Sequence, residues 1–107
     1  MIARIWSART TLENWPAYEH HFTKNVVAEL REISGYAGAK LLKHEVEAGV
    51  EITVITFWQS WEAIEAFAGP ERKTAVVAPS AAALLIDYDR SVKHYEVAAS
   101  YTAVSDD

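Results

Sequence analysis

The chain has no cysteine. That excludes disulfide staples, thiolate metal ligands and a cysteine nucleophile together. Long apolar runs are also missing, and none approaches the roughly 20 residues that cross a bilayer. The N-terminus, MIARIWSARTT, has neither the apolar segment nor the small-residue cleavage site of a secretory leader. The expected location is the cytoplasm, with no membrane partner. Basic charge is scarce: 10 Lys and Arg stand against 15 Asp and Glu, a net charge of −5, and Arg72-Lys73 is the one basic pair. A phosphate-binding footprint is therefore absent, and no nucleic-acid partner is expected. Glycine and proline are few, and they fall where turns belong: Pro16, Gly35, Gly38, Gly49, Gly69-Pro70 and Pro79. No phosphate loop, nucleophile elbow or dinucleotide fingerprint occurs. There is no linker, repeat or low-complexity tract, and 107 residues make one domain, residues 1–107. The tail after about residue 99 is expected to fray.

Aromatic side chains are what the chain has in excess: four Trp, five Tyr and three Phe. Aromatics fill cores, line apolar pockets and anchor interfaces. The periodicity orders the elements around them. Residues 2–9 alternate as a strand. Thr10 or Thr11 offers a cap for a long amphipathic helix over 12–33, whose stripe is Leu12, Trp15, Phe22, Val26, Leu30 and Ile33. A second strand runs over 36–47, with Gly38 a candidate bulge. A tight turn at Ala48-Gly49 leads to a third strand over 50–58, VEITVITFW. Ser60 caps a short helix that Gly69-Pro70 stops. Residues 71–78 are ambiguous, 79–86 read as a helical turn or two, and 92–99 form the last strand. This βαββαβ order predicts a ferredoxin-like α+β fold, a four-stranded antiparallel sheet with helices on one face. Apolar residues occupy both faces of the third strand, so the bare sheet face is expected to pack on that of a second copy, as a homodimer.

The segments MIARIW, FWQSWEAIEAFAGPE and VKHYEV resemble the antibiotic biosynthesis monooxygenase-like family of dimeric α+β barrel proteins. The resemblance spans residue 1 to about 97. It implies a homodimeric barrel, with an apolar pocket in each subunit between its sheet and its helices. It also implies one of several chemistries: oxygenation of polycyclic phenols without metal, flavin or haem, degradation of haem, or no assigned reaction. The haem-degrading branch uses an Asn in the first strand, a Trp in the helix after the third strand and an iron-ligating His. Those positions fall on Ser7, Phe67 and near Val77, none of which is the required residue. On the same pattern Ser7 looks into the pocket, so Arg4 and Trp6 would face the intersubunit barrel.

Cofactor-free oxygenation needs a dry apolar pocket, a group that takes a proton, and donors for the resulting anion. His94 is the leading candidate. It lies in VKHYEV, with Glu96 on the same strand face to orient or charge it. Tyr95, on the opposite face, is the alternative. Trp15, Phe22 and Trp61 lie on apolar stripes that double as pocket wall, Phe67 continues the stripe of Trp61, and Trp58 ends a strand near the pocket mouth. His20 and His21 diverge by about 100° on a helix, lie off its stripe, and are read as solvated. No metal site is expected, because the four histidines show no ligand spacing. Asp87, Tyr88 and Asp89 read as a solvated turn. The expected function is a cofactor-independent monooxygenase, an oxidoreductase acting on a small apolar aromatic ligand of phenolic, quinol or polyketide-like type. The alternatives are a dimer that binds such a ligand without turnover, and a haem-binding or haem-degrading protein.

Overall fold

The computed structural model describes residues 1–103. Strand β1, Ile2–Thr10, leads through a turn to a helical rod over residues 15–31. The rod comprises α1, Trp15–His21, a π-helical turn over Phe22–Val26, and α2, Val27–Arg31. Strands β2, Tyr36–Val46, and β3, Gly49–Trp58, form a hairpin. Helix α3, Trp61–Ala68, is followed by an irregular segment, then by the single turn α4, Pro79–Ala82. Strands β4, Leu85–Tyr88, and β5, Lys93–Glu96, complete the sheet.

The sheet is antiparallel, with order β2-β3-β1, and β4 and β5 share the far edge of β1. β4 pairs with Ala8–Thr10 and β5 with Ile2–Ile5, so the two act as one strand interrupted at residues 89–92. The architecture is the expected mixed α+β sheet with helices on one face. The last strand is Lys93–Glu96 rather than 92–99 and the rod ends at Arg31 rather than at residue 33, and three further differences bear on the argument. The rod begins at Trp15 rather than Leu12, whose side chain is 57% exposed. The Thr11 hydroxyl, not Thr10, accepts from the Asn14 amide at 3.0 Å, whereas Thr10 is fully buried and donates to the Leu84 carbonyl at 2.6 Å. Finally, Leu85–Tyr88 is strand, where sequence periodicity placed a helical turn and a loop. Four residues are too few for a period to declare itself, and it is pairing with β1 that makes them extended.

Other sequence features hold. The register shifts between Tyr36 and Gly38, the bulge expected there. The Ser60 hydroxyl accepts from the Ala63 amide at 3.1 Å and caps α3. Gly49 has φ +146°, and a Cβ there would strike the Thr10 carbonyl, so the hairpin turn and the end of β1 close tightly only because the residue is glycine.

Strand alternation sends Ile2, Arg4, Trp6, Ala8 and Thr10 of β1 to the helix side, opposite Trp58, Thr56, Val54, Ile52 and Val50 of β3. The core there has two parts. One joins Ala8, Tyr18, Phe22, Ile52, Val54 and Ala81 beneath α1 and α4. The other joins Ile2, Leu30, Trp58, Ala63 and Ile64 beneath α2 and α3. The π-turn fits the rod to both parts. At 100° per residue, Tyr18 and Leu30 would lie about 120° apart on a regular helix. The extra residue of the π-turn takes up about 100° of that, and both side chains are buried on the sheet. Residues 97–103 carry no regular secondary structure. The rest of the tail expected to fray, residues 104–107, lies outside the described residues. No helix among the described residues is long and apolar enough to cross a membrane.

Candidate functional site

A cavity of about 440 Å³ lies between sheet and rod, where the two core parts meet. That is within the range of small-molecule sites. Its floor is sheet (Arg4, Trp6, Val54 and Thr56), one wall is the rod (Tyr18, His21, Phe22 and Leu30), and the facing wall is Phe67 with the segment Val76–Ala81. The lining is mainly apolar, so its few polar groups operate where water competes little.

Arg4 is 4% exposed and makes three hydrogen bonds, all to neutral groups. Its Nη1 donates to the Arg72 carbonyl at 2.5 Å and to His94 Nε2 at 3.1 Å; Nη2 donates to the Thr74 carbonyl at 2.8 Å. The guanidinium also lies 5.6 Å from the Phe67 ring centroid. None of these groups carries negative charge. Burial lowers the Arg4 pKa to about 10, which still leaves it charged at neutral pH. Among the described residues no anion contacts this buried charge, since the one carboxylate on the cavity wall, Glu29, is exposed at the rim, and burial alone disfavours such an arrangement.

His94 does not line this cavity. It shares the helix-side face with Arg4, its register partner, and lies over a shallow groove with Trp61, Lys73 and Lys93. Because arginine can only donate, His94 Nε2 is the acceptor and the ring is neutral, with its proton on Nδ1. Burial, then the charges of Arg4, Arg72 and Lys73, push its pKa below the usual histidine value. Its partner is therefore a cation, not Glu96, which is exposed. Trp61, 41% exposed, meets the His94 ring edge-on at 5.0 Å between centroids, and Arg72 lies 4.6 Å over the indole. Tyr95 points to the opposite sheet face and is 52% exposed.

Of the expected pocket aromatics, Phe22 and Phe67 line the cavity. Trp58 is wholly buried core: its indole N–H donates to the Thr56 hydroxyl at 2.8 Å, and its ring stacks on Phe67. Trp15 packs beside the core part under α1, with Lys43 over its ring at 5.3 Å, and does not reach the cavity. Two readings are corrected. Arg4 and Trp6 face the cavity and not a subunit interface, because it is Ser7 that points to the opposite side of the sheet. His21 is not solvated; of that pair, His20 alone is exposed.

His21 is 9% exposed and lines the cavity. The Asn25 amide nitrogen lies 3.0 Å from its Nδ1, one helical step along the rod. With the amide donating, Nδ1 accepts and the ring proton sits on Nε2. Nε2 is buried and has no hydrogen-bond partner. Tyr18, from the preceding turn, lines the same wall, and burial pushes its phenol up to about 12, so it stays protonated. No group of three or more His, Asp and Glu among the described residues could hold a metal ion.

No protein-family model and no curated protein matches the chain. Solved structures do. A provisionally named antibiotic biosynthesis monooxygenase from Bacillus cereus superposes with a TM-score of 0.64 at 20% identity, over 98% of each chain. The haem-degrader MhuD from Mycobacterium tuberculosis, with two haems in its active site, gives 0.66 at 22% identity, over 95% of this chain and 100% of that one. The monooxygenase ActVA-Orf6 of Streptomyces coelicolor, in complex with nanaomycin D, gives 0.61 at 14% identity, over 98% and 92%. The chain has the fold these proteins share.

Proposed function

We propose that the chain is a monooxygenase of the antibiotic biosynthesis type, acting on a small planar aromatic molecule that becomes an anion in the cavity. The observation that carries this is Arg4, a buried cation on the floor of an apolar cavity with no counter-ion among the described residues. A phenol, quinol or anthrone supplies the aromatic body for Phe22, Phe67 and Trp6 and, once ionised, the missing charge. Ionisation also makes the ring electron-rich enough to reduce dioxygen. With an anthrone, the ring methylene loses two hydrogens, one oxygen atom stays as a carbonyl, and the other leaves as water. The protein's share is to exclude water, hold the ring and stabilise the oxyanion. The bare sheet face makes the enzyme a homodimer in this reading.

The haem chemistry of one structural neighbour finds no matching ligand in this chain. The position expected to ligate iron is near Val77, and the imidazole that lines the cavity, His21, has Nδ1 taken by the Asn25 amide and its proton on a buried Nε2. An iron ligand needs a lone pair there.

The test is a panel of anthrones, quinols and haemin, with oxygen uptake and absorbance recorded together. The expected result is uptake of one dioxygen per anthrone, with the quinone appearing, and a loss of at least tenfold in rate for Arg4→Met. Tryptophan quenching without oxygen uptake would make the protein a binding module instead. A Soret band on adding haemin would restore the haem reading.

A further inference from the structure

We infer that His21 is a second donor to the substrate's ionised oxygen, through Nε2–H, and that Asn25 is the positioning residue that keeps the proton on that nitrogen. The inference rests on the cavity being the site of an aromatic anion, and it adds a residue to that site. A buried donor with no partner is costly, by about 1–3 kcal/mol, and native folds leave few of them. Among the buried side-chain atoms described, His21 Nε2 is the one left without a partner, and it belongs to a residue that lines the cavity. The group that satisfies it is therefore expected to come from the cavity's occupant. The same occupant answers the unmatched charge of Arg4, so both features point to one ligand group, an oxyanion on an aromatic ring. The π-turn supports this placement. His21 and Phe22 sit where the regular helix gives way to it, and such turns are frequent at functional sites.

The other titratable groups on the cavity wall are Arg4, Tyr18 and Glu29, and Glu29 is exposed at the rim. Arg4 and His21 favour the ionised oxygen, neutral Tyr18 can only add a third donor, and rim Glu29 opposes it weakly in every variant. The probe is alizarin, a three-ring phenol that changes colour on ionisation. Bound to the wild-type protein, it should ionise at a lower pH than in free solution. His21→Phe should raise that midpoint by about one pH unit, a tenfold loss of preference for the anion. Asn25→Asp provides a variant at an exposed position that need not disturb folding. An aspartate accepts from Nδ1–H, strips the proton from Nε2 and should raise the midpoint as much as His21→Phe does; Asn25→Ala should raise it less. A purely structural role for Asn25 would not order the variants this way. If both His21→Phe and Asn25→Asp keep the wild-type midpoint while Arg4→Met raises it, Arg4 acts alone: the inference fails and the cavity reading stands. If alizarin does not bind the wild-type protein, both fail.

Discussion

At the scale of single residues, the chain keeps its charged and titratable groups in unusual company. Arg4 lies under carbonyls and a neutral imidazole, and that imidazole, His94, is held neutral by burial first and then by the cations around it. The consequence for stability has a definite sign. With a folded-state pKa below its unfolded value near 6.5, His94 binds fewer protons in the folded protein than in the unfolded chain. Stability is then undiminished above about pH 6.5, falls as pH drops through that value, and levels off once the folded form is also protonated. Urea midpoints measured between pH 7.5 and 5 should decline for the wild type and decline less for His94→Gln, whose amide oxygen still accepts from Arg4. Equal slopes would mean that His94 titrates as it does in the unfolded chain. Sequence alone singled out His94 because a histidine in a strand stands out, yet it lies outside the cavity; Phe22 and Phe67, which extend apolar stripes, line it. Arg4 was misplaced because the family resemblance turned Ser7 toward the pocket, and alternation could not correct it, since both faces of β1 carry apolar residues. His21 was missed because it lies beside the stripe, and only the π-turn and the i to i+4 pairing with Asn25 reveal its role.

Among the elements, the most regular were the most legible. β3 is a run of β-branched and aromatic residues, and its bounds came within one residue of Gly49–Trp58. The end of the sheet was partly legible: the strand expected over 92–99 contains β5, Lys93–Glu96, whereas β4 was missed, because each has four residues and is extended only by pairing with opposite halves of β1. The π-turn has no composition signature, since it answers to where Tyr18 and Leu30 must be buried. The β2–β3 turn depends on one residue. Gly49→Ala would put a Cβ against the Thr10 carbonyl in a backbone region that L-residues avoid. A loss of about 1–3 kcal/mol is expected, read as a lower urea midpoint at unchanged slope. Unchanged stability would show that the turn can relax to another conformation.

For the molecule as a whole, the open question in the architecture is the sheet face that carries no helix. Strand parity places Ile5 opposite Ile55, Ala3 between Phe57 and Tyr95, and Leu42 opposite Thr53 on that face. Leu42 and Tyr95 are exposed, and around the apolar centre stand polar pairs, Arg9 with Asp87 at 2.5 Å and His44 with Glu51 at 3.1 Å. An apolar centre with a polar rim is the anatomy of a protein interface, and a second copy turned by a two-fold axis presents the same patch. Light scattering at micromolar concentration should therefore give about twice the 11.9 kDa chain mass. A charge at the centre of the patch, Ile55→Lys, should shift the protein toward monomer, because a desolvated lysine without a partner opposes association by several kcal/mol. The cavity opens on the other side of the sheet, so the monomeric variant should still bind alizarin and still lower its ionisation midpoint. A wild-type mass near that of one chain would refute the dimer. A monomeric Ile55→Lys that no longer binds the probe would show instead that the mating face supports the cavity floor, through β1 and β3, whose alternate residues build both surfaces.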